Sequence, residues 1–242
     1  MDPGLASAWM HKGNVLDFSG RHKEALACFD KALEIDPHYL ILAVSINRAG
    51  CFYSMGRYRA AIACLDKVLN IINSEKMPKL LELLILNERE RLLSQIPYYK
   101  NLIYGLKGMC LYELGKHEEA LRCFDKGLEI DPNNTNAWFQ KGNVLVKLGK
   151  YDGAINAYQE LLNIRPDGWL DVWLRKGASH DLLVNNKEAV ECYDRVLEIN
   201  SSYAEVWFLK GQALIKLGRS DAQYCLDKAK KLGYNGSSVK KN

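Results

Sequence analysis

The chain has 242 residues, of which 48% are hydrophobic and 26% charged, a composition that is typical of folded soluble proteins and excludes a long disordered region. Its 33 basic and 29 acidic side chains leave a net charge of +4, too small and too evenly spread to predict a nucleic-acid or anionic-membrane partner. No segment approaches the ~18 consecutive apolar residues of a membrane span, and the N-terminus lacks the features of a signal peptide.

One motif returns along the chain at a nearly constant spacing. Trp9-x-x-Lys12-Gly13 is repeated around Trp138, Trp173 and Trp207, and with Tyr in place of Trp around Tyr104. The glycines of the last four copies, at 108, 142, 177 and 211, are 34, 35 and 34 residues apart. A fixed period of this length indicates a repeat architecture.

Each repeat predicts two amphipathic helices. Apolar residues recur at three- and four-residue spacing from Ala137 to Leu148 and again from Ala154 to Leu162. Gly149 lies where the first helix must end, and Pro166 lies where the second one stops. Such a helix pair buries its remaining apolar face only against the next pair, which favours an array.

The pattern resembles the tetratricopeptide repeat, W-x-x-L-G-x-x-Y, then A-x-x-x-F, then P. With the Trp as position 4, the repeats begin at Ala6, Leu42, Asn101, Thr135, Leu170 and Ala204. Repeat 2 departs from the motif at Ser45 and Ala49, which replace the Trp and the Gly. The resemblance implies an all-α, right-handed superhelical solenoid of about six antiparallel helix pairs plus one extra helix.

An insertion interrupts the period. Leu42 and Asn101 are 59 residues apart, which is 25 more than one period of 34. Residues 78–95 predict a single extra helix, and the apolar residues from Leu80 to Leu86 would surround it, so we expect it to be buried. It either packs inside the chain or forms a homodimer or partner contact.

These boundaries divide the chain into repeats 1 and 2 (residues 1–75), the insertion or degenerate repeat (76–100), repeats 3 to 6 (101–234) and a polar tail (235–242). We expect one continuous solenoid domain.

The cysteines and histidines predict no metal site and no cofactor. Six of the seven cysteines occupy position 10 or 23 of a repeat, where other repeats carry small residues, so we interpret them as packing residues in the reducing cytoplasm. No two of the five histidines have the i, i+4 spacing that presents a metal to one helical face. His180 takes a position that is usually apolar and is interpreted as a core residue.

Two rows of charge also recur. Position 7 is basic in all six repeats, and position 25 is acidic in five of them when the last repeat is counted with one residue lost, which places Asp227 there. A track for an anionic ligand is one interpretation. The simpler one is that neighbouring helices pair these charges while the lysine stems cover apolar surface.

The resemblance implies that the first helix of each repeat lines a ligand-binding groove. The residues predicted to line it, called the groove residues below, are Met10, Asn14, Asn47, Met109, Tyr112, Phe139, Asn143, Lys147, Arg175 and Phe208. Five of the ten are apolar or aromatic, a large share for an exposed surface, which is typical of an interaction site. Relatives that bind the acidic C-termini of chaperones use cations where this chain has Met10, Leu102 and Leu106, so we expect that clamp to be absent. Asn143, Lys147 and Arg175 are candidates for a different acidic ligand.

The sequence therefore predicts a non-catalytic scaffold that binds a peptide or a partner helix. The alternative is a regulatory or substrate-recruiting segment of a larger enzyme or complex. A nucleic-acid-binding repeat ranks third, because acidic residues interrupt the basic charge of the first helices.

Overall fold

The computed structural model describes residues 3–37, 41–74, 76–82, 84, 86–166 and 169–234, and the predicted polar tail, 235–242, lies outside them. Helices are the only regular elements in these ranges, which confirms the all-α fold. The thirteen helices are α1 (Pro3–Phe18), α2 (His22–Ile35), α3 (Ile41–Ser54), α4 (Tyr58–Asn73), α5 (Lys76–Glu82), α6 (Leu86–Glu113), α7 (His117–Ile130), α8 (Thr135–Lys147), α9 (Tyr151–Ile164), α10 (Leu170–Leu182), α11 (Asn186–Ile199), α12 (Ala204–Lys216) and α13 (Ala222–Lys231).

The chain divides into two compact units, residues 1–134 and 135–242, called unit 1 and unit 2. Unit 1 contains α1 to α7, and unit 2 contains α8 to α13. The boundary falls between repeats 3 and 4, where the period is regular, and not at the insertion. Within each unit the two helices of a repeat form the closest pairs, such as α1 with α2 and α8 with α9.

The two helices of a repeat approach closely because a glycine at position 8 faces a large side chain at position 24. A Cβ atom added to Gly142 would lie 2.4 Å from Cε1 of Tyr158, and one added to Gly13 would lie 2.5 Å from Cε1 of Phe29. Repeat 2 has the larger Ala49 at position 8 and the smaller Leu65 at position 24, both fully buried. The loss of the glycine in repeat 2 is therefore compensated inside the same helix pair.

The turn between the two helices needs a left-handed residue at position 15. Five repeats place glycine there with φ between 68° and 75°, and these glycines are Gly20, Gly56, Gly115, Gly149 and Gly218. Repeat 5 places Val184 in the same conformation, with φ 62°. A β-branched residue is strained there because its Cβ crowds the following carbonyl oxygen.

The two charge rows pair between consecutive repeats, as the simpler interpretation predicted. In unit 1, Lys107 Nζ lies 2.5 Å from Asp66 Oδ1, and Arg48 makes the same contact with Asp30 at 3.2 Å. In unit 2, Lys210 pairs with Asp194 at 2.5 Å. Position-7 lysines also lie over the Trp of their own repeat, for example Lys210 at 5.5 Å from the centre of the Trp207 ring.

The insertion does not form the single helix predicted for residues 78–95. It forms α5 and the beginning of α6, a helix that continues through Pro97 into the first helix of repeat 3. If the segment were one straight helix, its apolar residues would point in all directions, and only some of them could face the core. The break brings Met77, Leu81 and Leu92 into the same cluster, each at most 6% exposed. The expected burial is wrong for Leu86, which is 68% exposed.

The cysteines pack in the helical core. All seven are free thiols, and only Cys64 is more than marginally accessible. Burial raises the pKa of the Cys110 thiol to about 12 and that of Cys192 to about 11, so these thiols stay protonated and unreactive. Among the described residues, no helix is both long and apolar enough to cross a bilayer.

Candidate functional site

The predicted groove residues all lie on the first helix of a repeat. Those of unit 1 lie on α1, α3 and α6, and those of unit 2 lie on α8, α10 and α12. Side chains from successive first helices contact each other in both units.

In unit 1, two predicted ligand-binding amides bind each other. Asn47 Nδ2, on α3, donates to Asn14 Oδ1, on α1, at 2.8 Å. The bond joins the side-chain amides of repeats 1 and 2 and leaves one further donor on Asn14 and one acceptor on Asn47 outside it. On α6, Met109 is half-buried, and the Tyr112 ring packs 5.3 Å from the ring of His117.

The inserted half of α6 lies beside the part of unit 1 that carries Met10. A cleft of about 250 Å³ is enclosed between α1, α3 and α6. Its walls are formed by Ser7, Met10, His11, Ala43, Arg91, Leu92, Gln95 and Tyr99. The first helices of repeats 1 and 2 therefore face another part of the same chain at this end, which the repeat pattern did not predict.

In unit 2, Phe139 is the centre of an aromatic cluster. The Arg175 guanidinium lies 5.4 Å from the centre of the Phe139 ring, which joins α10 to α8. The rings of Trp169 and Tyr158 lie 6.2 and 6.3 Å from it in tilted orientations. We call Phe139, Tyr158, Trp169 and Arg175 the Phe139 cluster. Of these, Arg175 is exposed and Phe139 and Trp169 are half-buried, so the cluster presents both a cation and aromatic surface to solvent.

Asn143 is held in place one turn along α8 from Phe139. The buried Tyr158 hydroxyl donates to Asn143 Oδ1 at 2.9 Å, and Asn143 Nδ2 donates a longer bond of 3.4 Å to Gln140. Tyr158 thus contacts Phe139 and Asn143, two of the three predicted groove residues of α8. Lys147, a further turn along, is exposed at the end of the helix.

Phe208 is stacked against a residue from beyond the last helix. The Tyr234 ring lies 4.6 Å from the Phe208 ring, and the Tyr234 backbone N–H donates to Ala229 O at 3.0 Å. One side of the Phe208 ring is therefore covered by the chain itself.

Sequence reasoning missed Trp169, Arg165 and Tyr234. Trp169 precedes α10 and Tyr234 follows α13, so both lie outside the helical positions used to select groove residues. Arg165 directly follows α9, and its guanidinium lies 5.9 Å from the centre of the Trp169 ring. The available signal was an aromatic residue in a connection that is otherwise polar or proline-rich.

Two clefts in unit 2 lie between α9 and α11, the second helices of repeats 4 and 5. One, of about 410 Å³, reaches His180 and is lined by residues of α9, α10 and α11. Burial, and after it the charge of Lys176, lowers the pKa of His180, so the imidazole is held neutral. The other, of about 520 Å³, is bounded by Pro166 and Trp173. Neither contains a predicted groove residue.

Solved structures of similar fold come from several bacterial proteins. Part of a TPR repeat-containing protein from Cytophaga hutchinsonii has a TM-score of 0.71 at 16% identity, over 94% of this chain and 80% of that one. A tetratricopeptide repeat protein from Parabacteroides merdae has a TM-score of 0.67 at 14% identity, over the same shares of 94% and 80%. YrrB, described as a TPR protein with an unusual peptide-binding site, has a TM-score of 0.60 at 21% identity, over 82% and 88%. At these identities the likeness shows the fold.

No curated protein matches the sequence. Four models of the tetratricopeptide repeat match it, at residues 4–74, 102–134, 123–156 and 170–203. Together they cover most of the helix pairs described above, and the chain belongs to the tetratricopeptide-repeat family.

Proposed function

We propose that this protein is a non-catalytic scaffold that binds an extended peptide or a helix of another protein along the first helices of its repeats. The observation that carries the proposal is the Phe139 cluster. The Arg175 guanidinium lies 5.4 Å from the centre of the Phe139 ring, and the Trp169 ring lies 6.2 Å from the same ring. A cation and two aromatic rings are therefore available together to a ligand. Aromatic and arginine side chains are the most frequent anchors of protein interfaces.

The chemistry of this surface favours a peptide with acidic and apolar groups. Arg175, Arg165 and Lys147 supply positive charge around the cluster, and an Arg over an aromatic ring keeps its outer N–H groups available for a carboxylate. Asn143 supplies a preoriented amide for a peptide backbone, because Tyr158 fixes its Oδ1. Family membership and the peptide-binding site named for YrrB support the same class of ligand.

Homodimerisation through residues 78–95 stays a prediction. Leu86 and Leu93 are 68% and 43% exposed and, being seven residues apart on α6, lie on the same side of the helix. They are the side chains that a symmetric contact would use. Light scattering on wild type and on Leu86→Glu tests it: a dimer that the substitution does not dissociate uses another surface. The absence of a nucleic-acid partner and the cytoplasmic location also remain predictions.

Peptide selection tests the proposed function directly. A library of random displayed peptides is selected on the purified chain, and the affinity of individual peptides is measured by fluorescence anisotropy. We expect Phe139→Ala and Arg175→Ala each to weaken the selected peptides by about tenfold or more.

The matched controls lie on other faces of unit 2. Arg195, on α11, is replaced by Ala to match Arg175, and Tyr224, on α13, by Ala to match Phe139; their side chains are exposed. Peptides whose affinity is unchanged by both test variants, or is reduced equally by the controls, would contradict a binding site at the Phe139 cluster.

A further inference from the structure

Three side chains of different metal-binding types meet where α1, α2 and α3 converge. His22 Nδ1 lies 2.6 Å from Asp17 Oδ1, and the Cys51 thiol donates to the same oxygen at 3.0 Å. The sulfur, nitrogen and oxygen atoms all lie within 4.8 Å of one another. Asp17 comes from the end of α1, His22 opens α2, and Cys51 is buried in α3. We call these three residues the Asp17 corner.

The set fits a zinc-like ion in chemistry and charge. Thiolate, imidazole and carboxylate are the three side-chain ligands of zinc, at about 2.3, 2.0 and 2.0–2.2 Å. In a tetrahedral site the atom pairs that are now 2.6 and 3.0 Å apart would lie about 0.5–0.7 Å farther apart, so these side chains must rotate when an ion binds. The thiolate and the carboxylate together neutralise a divalent cation, so no net charge is buried.

The same place in other repeat junctions carries different chemistry. The corner is formed by positions 12 and 17 of one repeat and position 10 of the next. At the following junction these positions are Tyr53, Tyr58 and Cys110, where the two tyrosine rings pack 5.5 Å apart. Between repeats 5 and 6 they are Asp181, Asn186 and Ala213. Repeat packing therefore does not require a carboxylate, an imidazole and a thiol at this point.

Solvent reaches the Asp17 corner from one side. A cleft of about 300 Å³ lies beside His22 and is lined by Gly20, Arg21, Lys23, Glu24 and Met55. Asp17 and His22 retain side-chain exposures of 29% and 24%. An ion could enter by this route, and a water molecule could complete its coordination.

We propose that Asp17, His22 and Cys51 bind one zinc or similar divalent transition-metal ion, which ties repeat 1 to repeat 2. The ion displaces the thiol proton, which is released to solvent. The neutral imidazole then binds through Nδ1 and carries its proton on Nε2. The bound ion replaces the two hydrogen bonds to Asp17 Oδ1 with three metal–ligand bonds.

Metal titration of the full chain tests this proposal. The reduced, chelator-treated protein is titrated with zinc against a competing chromophoric chelator, and with cobalt(II), whose thiolate charge-transfer band reports on sulfur coordination. We expect one tight site, a cobalt–thiolate band and a higher unfolding temperature with zinc.

Single substitutions assign the site. Cys51→Ala, His22→Gln and Asp17→Asn should each weaken zinc binding by about 100-fold or more, and Cys51→Ala should abolish the cobalt band. Cys110→Ala is the matched control, because Cys110 is equally buried at the same repeat position and should leave both signals unchanged. Circular dichroism of each variant establishes that it is folded, and His22→Gln and Asp17→Asn change only partly exposed side chains. A wild-type chain without tight zinc uptake, or uptake that survives His22→Gln and Asp17→Asn, would overturn the proposal.

Discussion

A Cβ atom on Gly108 would lie 2.8 Å from both Cε1 and Cζ of Phe124. The Phe124 ring therefore fills the space that a side chain at position 108 would occupy. In repeat 2 the larger Ala49 takes the place of the glycine, and the smaller Leu65 takes the place of the aromatic residue. The two positions share one volume, and each limits the size of the other.

Gly108→Ala should lower the free energy of unfolding by about 1–3 kcal/mol, because the added methyl group must displace an aromatic ring in a close-packed interior. Adding Phe124→Leu, which copies repeat 2, should cost less than the sum of the two single changes. Denaturant unfolding of the four proteins measures this coupling. Gly105→Ala is the control: nothing lies within 4 Å of its added Cβ, so the change should stabilise α6 by about 0.5–1 kcal/mol. Equal effects at Gly105 and Gly108 would contradict the shared-volume argument.

Val184→Gly should stabilise the protein by about 1 kcal/mol, since it relieves a β-branched residue of a left-handed conformation. Val184 is 70% exposed, so little packing is lost. The reverse change, Gly149→Val, should destabilise by a similar amount, because Gly149 has φ 70° at the same repeat position. Chemical denaturation checks both. A Val184→Gly protein less stable than wild type would show that the valine makes a contact that outweighs its strain.

His180 should make the protein less stable in mild acid. Its pKa is lowered in the folded state, chiefly by burial, so the unfolded chain binds the proton more tightly. The stability that this group contributes is fully present above its ordinary pKa of about 6.5 and is lost as the pH falls through that value toward the folded-state pKa. His180→Leu, which restores the leucine of four other repeats, should remove this part of the pH dependence.

The measurement is the difference in unfolding free energy between His180→Leu and wild type from about pH 7 to pH 5. The other histidines are present in both proteins, so their contributions cancel in this difference. We expect the variant to become relatively more stable as the pH falls. His11→Gln, which changes an exposed side chain, should follow wild type. A constant difference between His180→Leu and wild type would contradict the role of His180.

The pair of Lys107 and Asp66 should contribute about 0.5–1 kcal/mol to the packing of repeat 3 on repeat 2. The lysine is 23% exposed and the carboxylate 50%, so water screens the pair only in part. A double-mutant cycle with Lys107→Met and Asp66→Asn gives the coupling energy, which should decrease with added salt. The exposed Arg21–Glu24 pair, at 58% and 57%, is the comparison and should show a smaller coupling. A larger value there would mean that burial does not decide the strength of these pairs.

The sequence predicted most contacts that recur inside the repeat frame. The turn at Gly149 and the Lys210–Asp194 pair each follow from residue types that return at fixed positions. Such contacts join residues at most one repeat apart, so a single repeated pattern contains them.

The remaining features depend on residues outside that frame. Trp169 and Tyr234 lie beyond the helices, and only the path of the chain brings them to Phe139 and Phe208. The insertion has no period, so helix propensity alone could not indicate where α5 ends and α6 begins. The Asp17 corner combines three positions of which none is distinctive alone, and its histidine and cysteine lie on different helices.

The continuity of α6 limits how this protein could be rearranged. Helical repeats are usually exchangeable modules, which can be duplicated, deleted or reordered because each contacts only its neighbours. Here Met77, Leu81 and Leu92 fill the core of unit 1, and α6 carries the chain from the insertion into repeat 3 without a break. Exchanging repeat 2 or repeat 3 alone would therefore either cut α6 or remove part of that core.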